Sequence, residues 1–185
     1  MLMKTQNQRT DLQKTLLECL NLKQNEKSSP AQIADFPQNL RAKKGVAIVC
    51  FGTPKVSGDA FGPLVADLLR DEYSVPAFVY GTTDFPIVAT NMAKRLDFVR
   101  DVHKDDLIVA VDASLGDNIG GVVVRKDGVC PAAVKGRKKR FGDVGVLGVV
   151  AKKSDDPMIS LLAADFSFVE TLAREVAGAI NAALA

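Results

Sequence analysis

The sequence predicts an α/β protein built on a mostly parallel sheet, and three observations predict it. Short apolar runs, Val46–Phe51, Leu107–Val111 and Gly145–Val150, recur along the chain. Runs of that length suit strands buried on both faces. Between them, apolar residues repeat at helical spacing, as in Phe61, Leu64, Val65, Leu68 and Leu69. Strands that alternate with helices pair in parallel through crossover connections.

The elements follow in order. Residues 1–9 are polar and expected to fray. Leu12, Leu16, Leu17 and Leu20 predict an amphipathic helix from Asp11 to about Leu22. Residues 23–44 are polar, contain Pro30 and Pro37, and are expected to connect. The chain therefore divides into an N-terminal helix and connection, 1–45, and an α/β domain, 46–185. The N-terminal part either packs on the domain or contributes to a homo-oligomer contact.

The domain is organised around Val46–Leu69, a strand, a glycine-bounded loop and a helix. Pro63 fits only near the start of that helix. Val75–Gly81 is expected to be a second strand. Asp84 can cap the next helix with Pro86 in its first turn, and Val88, Met92, Leu96 and Val99 form its apolar stripe. Leu107–Val111 is a third strand ending in Asp112. Gly120–Val124 and Val129–Val134 predict two short strands joined at Lys126-Asp127-Gly128. Another buried strand, Gly145–Val150, follows, and Met158 onward is expected to be one helix to the C-terminus.

Bulk properties narrow the function classes. The chain has 185 residues, 47% hydrophobic and 25% charged, an ordinary globular composition. A net charge of +2 gives no overall field favouring nucleic acid. Cys19, Cys50 and Cys130 show no C-x-x-C spacing and are read as reduced thiols of a cytoplasmic protein. No apolar run reaches membrane-spanning length.

Two aspartates carry the chemistry. Asp59 lies where the first loop becomes a helix, and Asp112 ends the third strand. Ligands of open α/β sheets bind at the carboxyl ends of the strands. If those strands are neighbours, both carboxylates face one crevice, and two close carboxylates cannot both ionise easily. Such a pair can activate water as base and polarise a carbonyl as acid, or hold a divalent metal. The ordinary roles of an Asp at these places are helix cap and turn former.

Thr53, Gly58, Thr82, Asn91 and Gly116 are the candidate substrate-binding positions around the pair, with the loop after Gly52 and Gly116–Gly121 as a rim. Ser57 and Thr83 are further polar neighbours, although such hydroxyls commonly satisfy turn backbone. Asn91 falls inside a predicted helix, where a surface role is ordinary. Asp143 precedes a strand and reads as a turn residue. His103, the only histidine, is expected at the far end of the sheet, which excludes Ser-His and Cys-His machinery. Cys50 reads as core. Gly52–Gly62 lacks the spacing of a phosphate or dinucleotide loop. The run Lys135–Arg140 is expected to be a solvated loop, the alternative being a contact for an acidic partner or for nucleic acid, which the absence of an interleaved aromatic before Phe141 disfavours. No cofactor is expected and no metal ligand is assigned.

Four segments carry a family resemblance. They are GTPKVSGDAFGPLV from Gly52, YGTTDFPIVATN from Tyr80, AVDASLG from Ala110 and GDVGVLGVV from Gly142. In this order they resemble the YyaC-type sporulation proteins, which are similar to the germination protease of spores and more remotely to hydrogenase maturation endopeptidases. The resemblance spans about Val46 to Val150. It implies a three-layer α/β/α sandwich of the phosphorylase/hydrolase-like kind. It also implies that Asp59 and Asp112 occupy the places of two aspartates implicated in activity in the germination protease. In the hydrogenase endopeptidases those places are metal-recognising acids joined by a histidine. No histidine here falls in a matching place, and Ile87-Val88 stands where relatives place a histidine after Pro86.

The expectation is a sporulation-associated peptidase acting on a specific protein partner through the aspartate pair. The alternative is a catalytically idle, peptidase-fold module that binds a protein partner.

Overall fold

In a computed structural model, described for residues 44–131 and 139–185 and for Lys14, five strands form one sheet. They are β1 (Val46–Cys50), β2 (Phe78–Tyr80), β3 (Leu107–Leu115), β4 (Val122–Arg125) and β5 (Val144–Ala151), in the order β2-β1-β3-β5-β4. All neighbouring pairs are parallel except β4 with β5. The predicted N-terminal helix, Cys19 and most of the Lys135–Arg140 run lie outside the described residues.

Two helical layers sandwich the sheet, which makes the fold an α/β/α sandwich. Side chains alternate along a strand, so each strand feeds both layers. Ile48, Cys50, Val109, Val111 and Val146 face α1 (Phe61–Asp67) and α4 (Phe166–Leu184). Val49, Phe51, Ile108 and Ala110 face α2 (Met92–Val102). Both faces are covered, which is why β1 reads as an unbroken apolar run.

Four expectations are corrected. β2 is shorter than Val75–Gly81: Pro76 interrupts the run, and Val75 instead donates its N–H to Leu69 O behind the π-helical turn Leu68–Glu72 that extends α1. The helix expected from Asp84 begins only at Met92. Ile87 is buried and forms a parallel bridge with Phe51, and Gly52 N–H donates to Ile87 O, so this segment is extended along the sheet edge. The expected hairpin of Gly120–Val124 with Val129–Val134 is absent over its described part. β4 pairs with β5, and Val129 makes only a single bridge to Phe141. Finally, the C-terminal helix is two helices, α3 (Pro157–Leu162) and α4. Asp165 N-caps the second, accepting from Phe168 N–H at 3.0 Å, and Asp156 caps the first.

Candidate functional site

β1 and β3 are hydrogen-bonded neighbours, and the chain leaves them toward opposite edges of the sheet. The crevice beyond their carboxyl ends is therefore a topological switch point, where open α/β sheets bind ligands. A cavity of about 620 Å³ opens there, and Asp59, Asp112 and Thr53 all line it.

Asp59 reaches the crevice on a tight loop. It lies in a 3-10 turn, Gly58–Ala60, immediately before α1. Its carboxylate Oδ2 accepts from Thr53 N–H at 3.0 Å, and its carbonyl accepts from the same N–H. This bond reaches back across the loop, so Asp59 is not the side-chain cap of α1 that an aspartate at this place commonly is. Gly52 allows the fold-back. It has φ +126°, and a Cβ there would collide with Asp59 O. Gly62 likewise lets α1 approach Phe51 O.

Asp112 is held differently. It does not follow β3 but lies within it, paired with Leu147, and the strand runs on to Leu115. An in-strand position replaces the turn role that its sequence context suggested. Its Oδ1 accepts from Ala113 N–H at 2.9 Å. Burial is the main cause that pushes its carboxyl up to about 8, and the negative charge of Asp59 pushes the same way, against the Ala113 hydrogen bond. Near neutral pH, Asp112 is therefore predominantly the protonated member of the pair.

The other candidate positions are not among the residues lining the cavity. Thr82 is buried, and its Oγ1 accepts from Phe85 N–H. Thr83 is tied to Asp67, which accepts from its hydroxyl at 2.6 Å. Asn91 is not mid-helix but precedes α2. Its Oδ1 accepts from Val88 N–H, and its Nδ2 donates to Pro86 O, both at 2.9 Å. It thus holds the segment from which Ile87 and Val88 wall the cavity. Gly58 lets the turn pack on Leu161 of α3, and Gly116 N–H donates to Ala151 O. Asp143 accepts from Ile108 N–H at 2.9 Å, which ties the start of β5 to β3 rather than closing the local turn expected of it. Cys50 is buried, and burial pushes its thiol strongly up, as for a core residue.

Several lining residues escaped sequence reasoning. Arg125, Arg140 and Lys153 come from three separate segments, and Met158 and Leu161 come from α3. The antiparallel return of β4 beside β5 brings Arg125 to the site, and no local pattern announces such a pairing.

Among the described residues, no group of three or more His, Cys, Asp or Glu could hold a metal ion. Protein transition-metal centres commonly use three or four ligands, often including nitrogen or sulfur donors. The described donor set does not fit one. The places after Pro86 are taken by Ile87, buried against Phe51, and by Val88, and both line the cavity. Among the described residues, no helix is long and apolar enough to cross a membrane.

A family model described as "Protein of unknown function (DUF1256)" matches residues 21–179. The chain is 33% identical over 112 residues to the uncharacterized protein YyaC of Bacillus subtilis, covering 59% of this chain. It spans about half of that relative's length, 55%. A NiFe hydrogenase maturation protease from Thermococcus kodakarensis has a similar structure. Its TM-score is 0.51 at 20% identity, over 77% of this chain and 93% of that one. At this identity the likeness establishes the fold.

Proposed function

The chain belongs to the DUF1256 family, and from that premise we propose that it is a peptidase that cleaves a protein partner through Asp59 and Asp112. The observation that carries this reading is the pair itself. Two carboxylates line one cavity at the switch point, and each stands in a different environment. The peptidase-like fold supports the same class.

The chemistry follows from that asymmetry. A peptide carbonyl enters the cavity with a water beside it. Asp59 takes a proton from the water as its oxygen attacks the carbonyl carbon. Asp112 gives its proton to the carbonyl oxygen, and a neutral gem-diol forms. On collapse the proton held by Asp59 passes to the departing amine nitrogen. Asp112 recovers a proton from the gem-diol hydroxyl, and the carboxylic acid product leaves. Activity requires Asp112 protonated, so the rate is expected to fall on an alkaline limb near pH 8.

The setting implied by the resemblance is spore formation or germination. A mass-spectrometric census of new protein N-termini tests the whole reading, comparing native cells with cells carrying Asp59→Asn during sporulation. Cleavages that require the intact aspartate are expected, and they would name the substrate. An unchanged census, with the protein expressed, would overturn the peptidase reading. It would leave a module that grips a partner segment without cutting it. Val88, an apolar cavity residue where the resembling family's segment has a histidine, is the observation that favours this second reading.

A further inference from the structure

The cavity carries two kinds of charge. The same wall that holds the carboxylates also includes Arg125, Arg140 and Lys153. Sheet register explains how Arg125 arrives. Asp112 pairs with Leu147, and Leu147 pairs with Val123, so the three form one row across the sheet. Arg125 stands two residues beyond Val123 and is therefore on the same face of the sheet. Lys153 follows the end of β5, two residues after Ala151.

The three cations are not equivalent. Arg140 is neutralised by Asp127, with Nε to Oδ2 at 3.1 Å, and its Nη1 also donates to Gly128 O. Lys152, the neighbour of Lys153, pairs with Asp117. Arg125 and Lys153 pair with no acid among the described residues, and both are exposed. The carboxylates do not offset them. Asp112 is largely protonated near neutral pH, which leaves the charge of Asp59 against two uncommitted cations. Much of the remaining wall is apolar, with Phe51, Val56, Ile87, Met92, Leu147 and Leu161.

We propose that Arg125 and Lys153 select an acidic peptide segment, pairing with an Asp or Glu side chain of the partner while its backbone lies over Asp59 and Asp112. This rests on the peptidase reading for what happens to the peptide, but not for its capture. Apolar walls give a peptide affinity without direction. Both cations stand on the β5–β4 side of Asp112, which gives the peptide orientation, because the reverse threading would leave the acidic side chain unpaired.

Capture from a randomised peptide library by the full-length Asp59→Asn chain tests this. Captured peptides are expected to be enriched in Asp and Glu about threefold to tenfold over the input. The enrichment should disappear in Asp59→Asn carrying Arg125→Ala and Lys153→Ala, and weaken with added salt. Both added substitutions are at exposed positions, and an unchanged melting temperature checks that the chain still folds. No acidic enrichment, or enrichment that survives both substitutions, overturns the proposal. The two readings can fail separately. Acid-selected peptides that the wild-type chain never cuts would sink the peptidase and keep the selection. Cleavage at sites without nearby Asp or Glu would do the reverse.

Discussion

The two ends of the sheet hold their ionisable groups in opposite ways. At the carboxyl end, Asp112 accepts one short-range bond, from Ala113 N–H, and faces the like charge of Asp59. At the amino end, His103 is buried with both ring nitrogens engaged, Nδ1 to Asp106 Oδ2 at 2.8 Å and Nε2 to Tyr80 Oη at 2.7 Å. Phe78 closes over the ring with centroids 4.8 Å apart. Polar groups that satisfy each other stabilise a fold, whereas groups that oppose each other hold a proton ready to move. The single histidine, which would draw attention as a catalyst, is the better read as scaffold. The carboxylates, which resemble ordinary caps and turns in the sequence, are where the proposed chemistry lies.

Substitution in the pair should give the largest effect. Asp59→Asn or Asp112→Asn is expected to lower the cleavage rate by about 10³-fold or more, since each removes one proton-transfer partner. Circular dichroism and thermal melting should show the fold retained. If both variants cut the census substrates at the wild-type rate, the contrast between the two ends has no catalytic meaning.

The same pair should also cost stability, and the sign is fixed by linkage. The Asp112 carboxyl is raised from its ordinary 3.8 to about 8 in the folded chain. Between those values the native state binds more protons than the unfolded state, so the contribution of this group is lost as pH rises through the window. Asp112→Asn keeps an acceptor for Ala113 N–H and cannot ionise. It is expected to be more stable than wild type at pH 9, by on the order of 5 kcal/mol at most, with the gap closing toward pH 4. Urea unfolding at several pH values measures this. Parallel stability curves for the two proteins would mean that Asp112 is not desolvated.

At the other end the expectation reverses. His103→Ala should lower stability by about 2–4 kcal/mol, because it opens a cavity and removes the ring's bonds to the Tyr80 hydroxyl and the Asp106 carboxylate. Cleavage per folded molecule should be unchanged. A specific loss of turnover with stability intact would make His103 part of the site despite its distance along the strands.

How much of this could be read beforehand depended on whether the signal was local. The buried parallel strands were legible because double-sided burial demands the unbroken apolar runs of β1 and β3. Their adjacency, entertained as a condition, is what brings Asp59 and Asp112 to one cavity. Misreadings arose where a distant partner overrode a local pattern. Asp84 and Pro86 look like a helix start, but Ile87 is bridged to Phe51. The apolar stripe from Met158 onward hides the break at Asp165, whose capping bond is visible only once the chain turns. Arg125 carries no local signal for the same reason, since antiparallel pairing of β4 with β5 brings it to the cavity, whereas Arg140 belongs to the cationic run marked in the sequence.

Asn91 offers the smallest and most discriminating test, because it stands outside the cavity yet holds its wall. Asn91→Ala removes the acceptor for Val88 N–H and the donor to Pro86 O. The stability cost is expected to be about 1–2 kcal/mol, as for a pair of side chain to backbone bonds at a helix start. The chemistry of the aspartates is untouched by this change. What loosens is the segment carrying Ile87 and Val88, so peptide binding should weaken and KM rise while kcat stays near wild type. Asn91→Asp separates the two bonds, since it keeps the acceptor for Val88 N–H but loses the donor to Pro86 O. Partial recovery of KM by Asp would assign the wall's position to the Val88 bond. A fall in kcat with unchanged KM would place Asn91 among groups acting on the transition state, which its bonding to Val88 and Pro86 argues against.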